Sequence, residues 1–248
     1  MATAAGEGLV PNGQLPAQPY YPPGLSMPHY APNTLPLWQL FAYFLSALGS
    51  FLGVLCVIAV LMKPQFRRAS LSDKALFVWF TMCYFVMNHA SLAGDQSFRA
   101  QLWKEYALSD SRYLTSDPFM LCVEGLTVVV HGTLSFAAAA AIVDGVGLPA
   151  GSSGLRHILQ MLVSTVHLFG VLLYYGTLLF QEALQGASHC RPEFLYRWVY
   201  FGAMNAPWVV VPIYILYSSA SQICQVFVAA NGANTGKANR AEPTKKTQ

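Results

Sequence analysis

Three residues of one apolar stretch could carry out proton chemistry together. In "CVEGLTVVVHG", Glu124, Thr127 and His131 stand at i, i+3 and i+7, which an α-helix brings to one face. Ionisable groups inside a membrane segment are costly and mark functional sites by default. A carboxyl group held in hydrocarbon can stay protonated at pH 7, and so can donate and recover a proton. Interhelical hydrogen bonding is the bland alternative, and it weighs more for His131 than for Glu124. A second polar row, His157, Gln160, Ser164 and His167, recurs at helical spacing. His157 follows Arg156 at a segment boundary, where solvation is the expected role, whereas His167 lies deeper. In "MNAPWVVVP", Asn205 and Trp208 share a face. An amide can orient an acid, and an indole face attracts a cation by roughly 0.5–2 kcal/mol. An acid, an amide and an aromatic face inside an apolar bundle suit proton transfer through a carbocation, which water would quench.

The elements that must hold these residues are membrane helices. The 248-residue chain is 54% hydrophobic and only 10% charged, with a mean hydropathy of +0.41, whereas soluble domains carry about a quarter charged residues. Composition therefore points to an all-α, polytopic membrane protein. The net charge of +3 sits outside the apolar segments and forms no basic face for nucleic acid. The five cysteines are odd in number and contain no CxxC pair, so they read as small apolar packers. The histidines lack ligand spacing with cysteine or acidic partners, and no metal site is expected.

Residues 1–36 carry one charge, Glu7, and are rich in Pro, Tyr and Gly; a disordered tail is the expectation. Clear spans run over 37–62, 119–143, 155–180 and 195–228, with Trp38 and Tyr43 placed as interfacial anchors. Pro207 and Pro212 should kink the last one. The segment Ala75–Met87 is apolar but short: thirteen residues rise only about 20 Å, against a core of about 30 Å. Yet Lys63, Arg67, Arg68 and Lys74 mark the first loop as cytosolic, and the basic tail 229–248 reads the same way. An even number of crossings must separate them, so the short segment, as a helix over about 75–93, has to supply the fifth span. Membrane thinning, help from the polar stretch after Met87, or a block of lost residues could reconcile the two, and the lost block is favoured. The ending "KKTQ" resembles a dilysine signal for retrieval to the endoplasmic reticulum.

Three stretches together resemble a known family: "GDQSFRAQLWKEYALSDSRYLTSDPFMLCVEGLTV", "LRHILQMLVSTVHLFGVLLYYGT" and "LYRWVYFGAMNAPWVVVP". They are similar to the emopamil-binding protein family, the sterol Δ8-Δ7 isomerases of the EXPERA group, over residues 72–216. The resemblance implies a five-helix protein of the endoplasmic-reticulum membrane that moves the sterol C8–C9 double bond to C7–C8 without a cofactor. Carried over by position, it implies catalytic roles for Glu124, Thr127, Asn205 and Trp208, with Tyr113 near the pocket mouth; His131 and His167 join it as substrate-binding candidates. His131 stands where the family commonly has a large aromatic, and Gly125 where it tends to have threonine. The larger departure is in the second helix, where the family carries a His-x-x-x-Glu pair. This chain has none, and His89 is too close to the GDQ turn to match it. The missing block is about as long as the span shortfall requires, and its loss would impair proton transfer.

Two functions remain open on this reading. The first is the isomerase; the second is a non-catalytic membrane protein of the same fold that binds sterols or cationic amphiphiles. A channel or secondary transporter fits poorly, for want of an inverted repeat or paired broken helices. The expected partners are a sterol and the lipid bilayer, with a homodimer left open.

Overall fold

The computed structural model describes residues 18–27, 29–82, 90–147 and 154–241. Helix α1 spans Leu37–Met62, the same bounds as the first expected span. It buries only Leu40 and Ala59, while Leu45, Val54, Val57 and Leu61 face outward. Such a continuous apolar surface fits hydrocarbon rather than water. A 3₁₀ turn, Pro64–Arg68, then tucks Phe66 inward.

Helix α2, Leu71–Met82, begins with a reciprocal cap. The Asp73 N–H donates to Ser70 Oγ at 3.0 Å, and that hydroxyl donates back to the Asp73 carboxylate at 2.9 Å. Its Phe77, Trp79 and Phe80 are buried with Ala138, Ala139, Ile142 and Val143. The alanine run matters here, because small side chains on one helix let the aromatics of the other approach closely. The helix expected over about 75–93 is described only in part. After α2 comes a 3₁₀ turn, Ala90–Ala93, and residues 83–89, with Cys83 and His89, lie outside the described residues.

Helix α3, Phe98–Tyr106, starts at Ser97, whose side chain accepts from Ala100 N–H. A 3₁₀ turn, Ser111–Leu114, follows. Against these packs the chain before α1, which the sequence leads one to expect as a loose tail up to residue 36. Tyr20 and Met27 are buried in the core formed with Ala100, Leu108, Tyr113 and Leu178. Tyr20 donates to the Lys104 carbonyl at 3.0 Å, and Lys104 Nζ donates to the Ala31 carbonyl at 2.7 Å. Gln101 Oε1 accepts the Thr34 and Leu35 N–H groups, each at 2.8 Å. Low charge and many prolines read as disorder from composition; here the tyrosines and Met27 supply enough apolar area to hold residues 18–27 and 29–36 in place.

The second span is continuous over Pro118–Gly145. It opens as α4, Pro118–Leu126, with Pro at its first position and Asp117 accepting from Met120 N–H at 3.0 Å. A π turn, Thr127–His131, interrupts it before α5, Gly132–Gly145, and the Gly132 N–H bonds back five residues to the Thr127 carbonyl. Helix α6 covers Gly154–Gln185. A second π segment, Leu195–Ala203, leads through a turn into α7, Pro207–Ala241. The break expected at Pro207 falls just before it, since that proline opens α7, while Pro212 lies inside the helix. Helix α7 also runs past the point where the basic tail was expected to begin.

Among the described residues the fold is all helical, and four helices are long and apolar enough to cross a membrane: 37–62, 118–145, 154–185 and 195–233. Helices α6 and α7 run antiparallel, because His157 and Gln160 meet Ser219 at one end while His167 meets Trp208 further along. The salt bridge Arg156–Asp73, at 2.5 Å, ties the starts of α6 and α2 together. The Lys63 ammonium donates to the Asp144 carbonyl on that same face.

Candidate functional site

Six of the seven candidates fall into two joined clusters inside the bundle, and Thr127 stands on the helix between Glu124 and His131. In the first, Asn205 is 8% exposed and its carboxamide is almost fully used. Its Nδ2 donates to the Tyr200 and Phe201 carbonyls at 3.2 and 2.9 Å, and its Oδ1 accepts from the Tyr106 hydroxyl at 3.3 Å. Tyr106 in turn lies 5.3 Å from Tyr113, ring to ring, and Tyr113 lies 6.2 Å from Tyr174. Burial pushes the Tyr106 hydroxyl up to about 12, so it remains a donor throughout the physiological range. Glu124 is close enough for its charge to act on both Tyr106 and Tyr113. Its Oε2 is buried without a hydrogen-bond partner. The expected orientation of the acid by Asn205 therefore takes another form: the amide is committed to Tyr106 and the backbone.

The second cluster is aromatic. His167 stacks on Trp208 at 5.2 Å with 22° between the planes, and His131 meets His167 edge-on at 4.5 Å. Trp79, from α2, closes the group, 4.5 Å from Trp208 and 5.9 Å from His167. The Val163 carbonyl is near His131, but neither of its ring nitrogens reaches a partner at hydrogen-bonding geometry, and His167 Nδ1 is likewise unpaired.

Two pieces of backbone join the clusters. Trp208 N–H donates to the Asn205 carbonyl at 3.1 Å across the turn into α7. Glu124, Thr127 and His131 share one helix, but the π turn begins at Thr127. A π turn accommodates roughly one extra residue, so positions beyond it lag by about 100°. His131 is therefore turned from the Glu124 face toward α6, where it finds His167. Sequence spacing alone could not reveal that rotation.

The sequence reading also passed over Tyr106 and Trp79. Tyr106 lies in the quoted "LWKEY" and Trp79 in the short apolar segment Ala75–Met87, and neither has a spacing partner to single it out. The signal was available only in three dimensions, through Asn205 and Trp208.

The fold and site define a multi-pass helical membrane protein with an acid and an aromatic cluster in its interior. A family model for EXPERA, the expanded EBP superfamily, matches residues 98–219. The chain is 33% identical over 218 residues to the 3-beta-hydroxysteroid-Delta(8),Delta(7)-isomerase of Cavia porcellus, with 84% of this chain and 89% of that protein covered. It is 34% identical over 220 residues to the isomerase of the same name in Rattus norvegicus, covering 84% and 90%. A probable 3-beta-hydroxysteroid-Delta(8),Delta(7)-isomerase of Arabidopsis thaliana is 31% identical over 225 residues, covering 87% and 93%. The chain belongs to the EXPERA family.

Proposed function

We propose that this protein is a membrane-embedded sterol isomerase that shifts the C8–C9 double bond to C7–C8. The observation that carries the reading is 33–34% identity to proteins of that name across 84% of the chain. The site residues take the following roles. Glu124, as the carboxylic acid, gives its proton to C9, leaving a cation at C8 and a carboxylate. The Trp208 indole face stabilises that cation, and the surrounding helices exclude water that would trap it. A proton then leaves C7 for the His131 imidazole, and the C7–H electron pair becomes the C7–C8 double bond. Loss of that proton from His131 and return of one to Glu124 reset the site, with Thr127, one turn on from Glu124, beside the acid. No net proton, electron or cofactor is consumed. Tyr113 and His167 border the bound sterol, and Asn205 holds Tyr106 beside it.

The domain extends over residues 72–216 and resides in the endoplasmic-reticulum membrane. The first loop and the C-terminus face the cytosol, as the basic residues of both suggest. A second reading, binding of sterols or cationic amphiphiles without turnover, is favoured by one observation: no His-x-x-x-Glu pair occurs between Lys74 and Lys104. Expression in a yeast strain lacking its own Δ8-Δ7 isomerase, with sterols profiled by mass spectrometry, separates the two. Conversion of Δ8 to Δ7 sterols supports the isomerase. Continued Δ8 accumulation with stable, membrane-inserted protein leaves the binder.

A further inference from the structure

Between α1, the 3₁₀ turn that follows it and α2 lies a groove of about 340 Å³, within the size range of small-ligand sites. It runs along two helix rows. Cys56 and Val60 stand one turn apart on α1, and Lys74, Phe77 and Val78 share one face of α2. Phe66 meets Phe77 edge-on at 5.1 Å, and these two buried rings form the back wall. Cys56, Val60 and Val78 are only half-buried, so the groove opens sideways, toward the lipid.

The ends of the groove differ in chemistry. At the end level with the first loop stand two cations, Arg67 and Lys74. The Lys74 ammonium donates to the Arg67 carbonyl at 3.0 Å, which holds the lysine against the turn that carries the arginine. Among the described residues no carboxylate pairs with either charge. Asp73, next to Lys74 in sequence, is taken by Arg156 at 2.5 Å, and Asp144 does not line the groove. Away from the cations the lining is apolar, and each row descends about 6 Å along its helix.

Two unpaired cations at the mouth of an apolar, lipid-facing groove fit a ligand with an anionic head and an apolar body. A sterol has the body without the charge, and free phosphate has the charge without the body. Phosphatidylcholine brings a cation of its own to the same place. Basic pockets between membrane helices hold acidic lipid headgroups on this principle.

We propose that the α1–α2 groove binds one anionic glycerophospholipid, its phosphate between the Arg67 guanidinium and the Lys74 ammonium and its first acyl carbons along Val60, Cys56 and Val78. The site is separate from Glu124 and Trp208, and it does not depend on the isomerase reading. The lipid ties the end of α1 to α2, the helix that supplies Trp79 to the aromatic cluster.

The test uses the full-length protein in detergent, with dioleoylphosphatidylserine as probe and native mass spectrometry reading the fraction of protein that carries one lipid. The native protein should bind this probe at least about tenfold more tightly than dioleoylphosphatidylcholine. Glycerol 3-phosphate, which has the phosphate without the chains, should not compete at the same concentration. Arg67→Gln with Lys74→Gln should cost about tenfold or more, since each cation near a headgroup contributes a factor of about five. Arg68→Gln makes the same charge change one residue away, outside the groove, and should stay within about twofold of native, as a screened surface charge does. Val60→Phe and Val78→Phe fill the groove from its two walls, and both should weaken binding about as much as the double charge change. Val57→Phe, on the outward face of α1, should not. Unfolding midpoints in lipid-free detergent, read alongside, show which variants remain folded. Equal losses in Arg67→Gln and Arg68→Gln, or full binding in folded Val60→Phe and Val78→Phe, overturn the groove in favour of a diffuse attraction to the basic face. Competition by glycerol 3-phosphate overturns the lipid in favour of a soluble phosphate.

Discussion

The cap formed by residues 18–27, 29–36 and 90–114 and the interior of the bundle both bury polar side chains, and the ionisable ones fare in opposite ways, although Asn33 Oδ1 and Trp103 Nε1 in the cap are also unpaired. In the cap, Arg112 is 1% exposed and well paired. Its Nε and Nη2 fork onto Asp110 at 2.6–3.1 Å, and its Nη1 donates to Thr177 at 2.8 Å. Gln101 likewise uses its carbonyl oxygen on the Thr34 and Leu35 N–H groups and its amide on the Gln96 carbonyl at 2.8 Å. In the bundle, Glu124, His131, Ser135, Ser164 and His167 carry atoms with no partner. Paired burial fixes a structure, whereas unpaired burial costs stability and is kept where chemistry requires it. On the proposed function the Arg112–Asp110 pair is architecture, the unpaired groups of the bundle are chemistry, and Tyr106 and Tyr113 stand at the seam between the two.

The largest test of that contrast is Glu124→Gln. Turnover should fall by about 10²- to 10⁴-fold, while the unfolding midpoint in detergent stays within a degree or two. A large loss of stability instead would move Glu124 to the structural side. The converse change, Arg112→Ala, should cost about 3–5 kcal/mol, because it leaves Asp110 buried without its counter-ion. Denaturant unfolding reads that loss, and a cost below about 1 kcal/mol would show that the cap pair is dispensable.

A milder change probes the seam between the regions. Tyr106→Phe removes the donor to Asn205 and should weaken the site by about 0.5–1.5 kcal/mol. That corresponds to a loss in turnover of about tenfold or less, read by kinetics with protein stability measured alongside. The smallest effect concerns pH. Burial holds the Glu105 carboxyl above its ordinary value of 4.5, although the Tyr200 hydroxyl, at 3.2 Å, opposes this. A carboxyl raised on folding contributes stability that is full below the unfolded value and is lost as pH rises through the folded one. The melting temperature should therefore decline across that window, and Glu105→Gln should flatten the decline. An equally steep decline in Glu105→Gln would place its origin elsewhere.

Much of the bundle was legible in the sequence, because a membrane span is declared by length and apolarity alone; α1 and α6 were readable for that reason. The chemistry-bearing types at Glu124, His167 and Trp208 were equally visible, since polar and aromatic groups stand out against an apolar background. Two things were not. The packing of Tyr20 and Met27 onto α3 depends on contacts between segments about 80 residues apart, for which proline content and charge are no guide. The meeting of His131 with His167 depends on a backbone irregularity that leaves every residue type unchanged.

That irregularity, the π turn at Thr127–His131, has a consequence for anyone rebuilding the protein. It behaves as a one-residue insertion absorbed inside a helix, so the two halves of the span keep different phases. Deleting a single valine from Val128–Val130 would remove the bulge and leave the two halves in their present relative orientation, whereas running all of these residues as an ideal helix would swing everything before the turn by about a quarter turn relative to everything after. A designed bundle that copies these residues onto an ideal helix inherits that fault, and must carry the bulge as faithfully as it carries the glutamate.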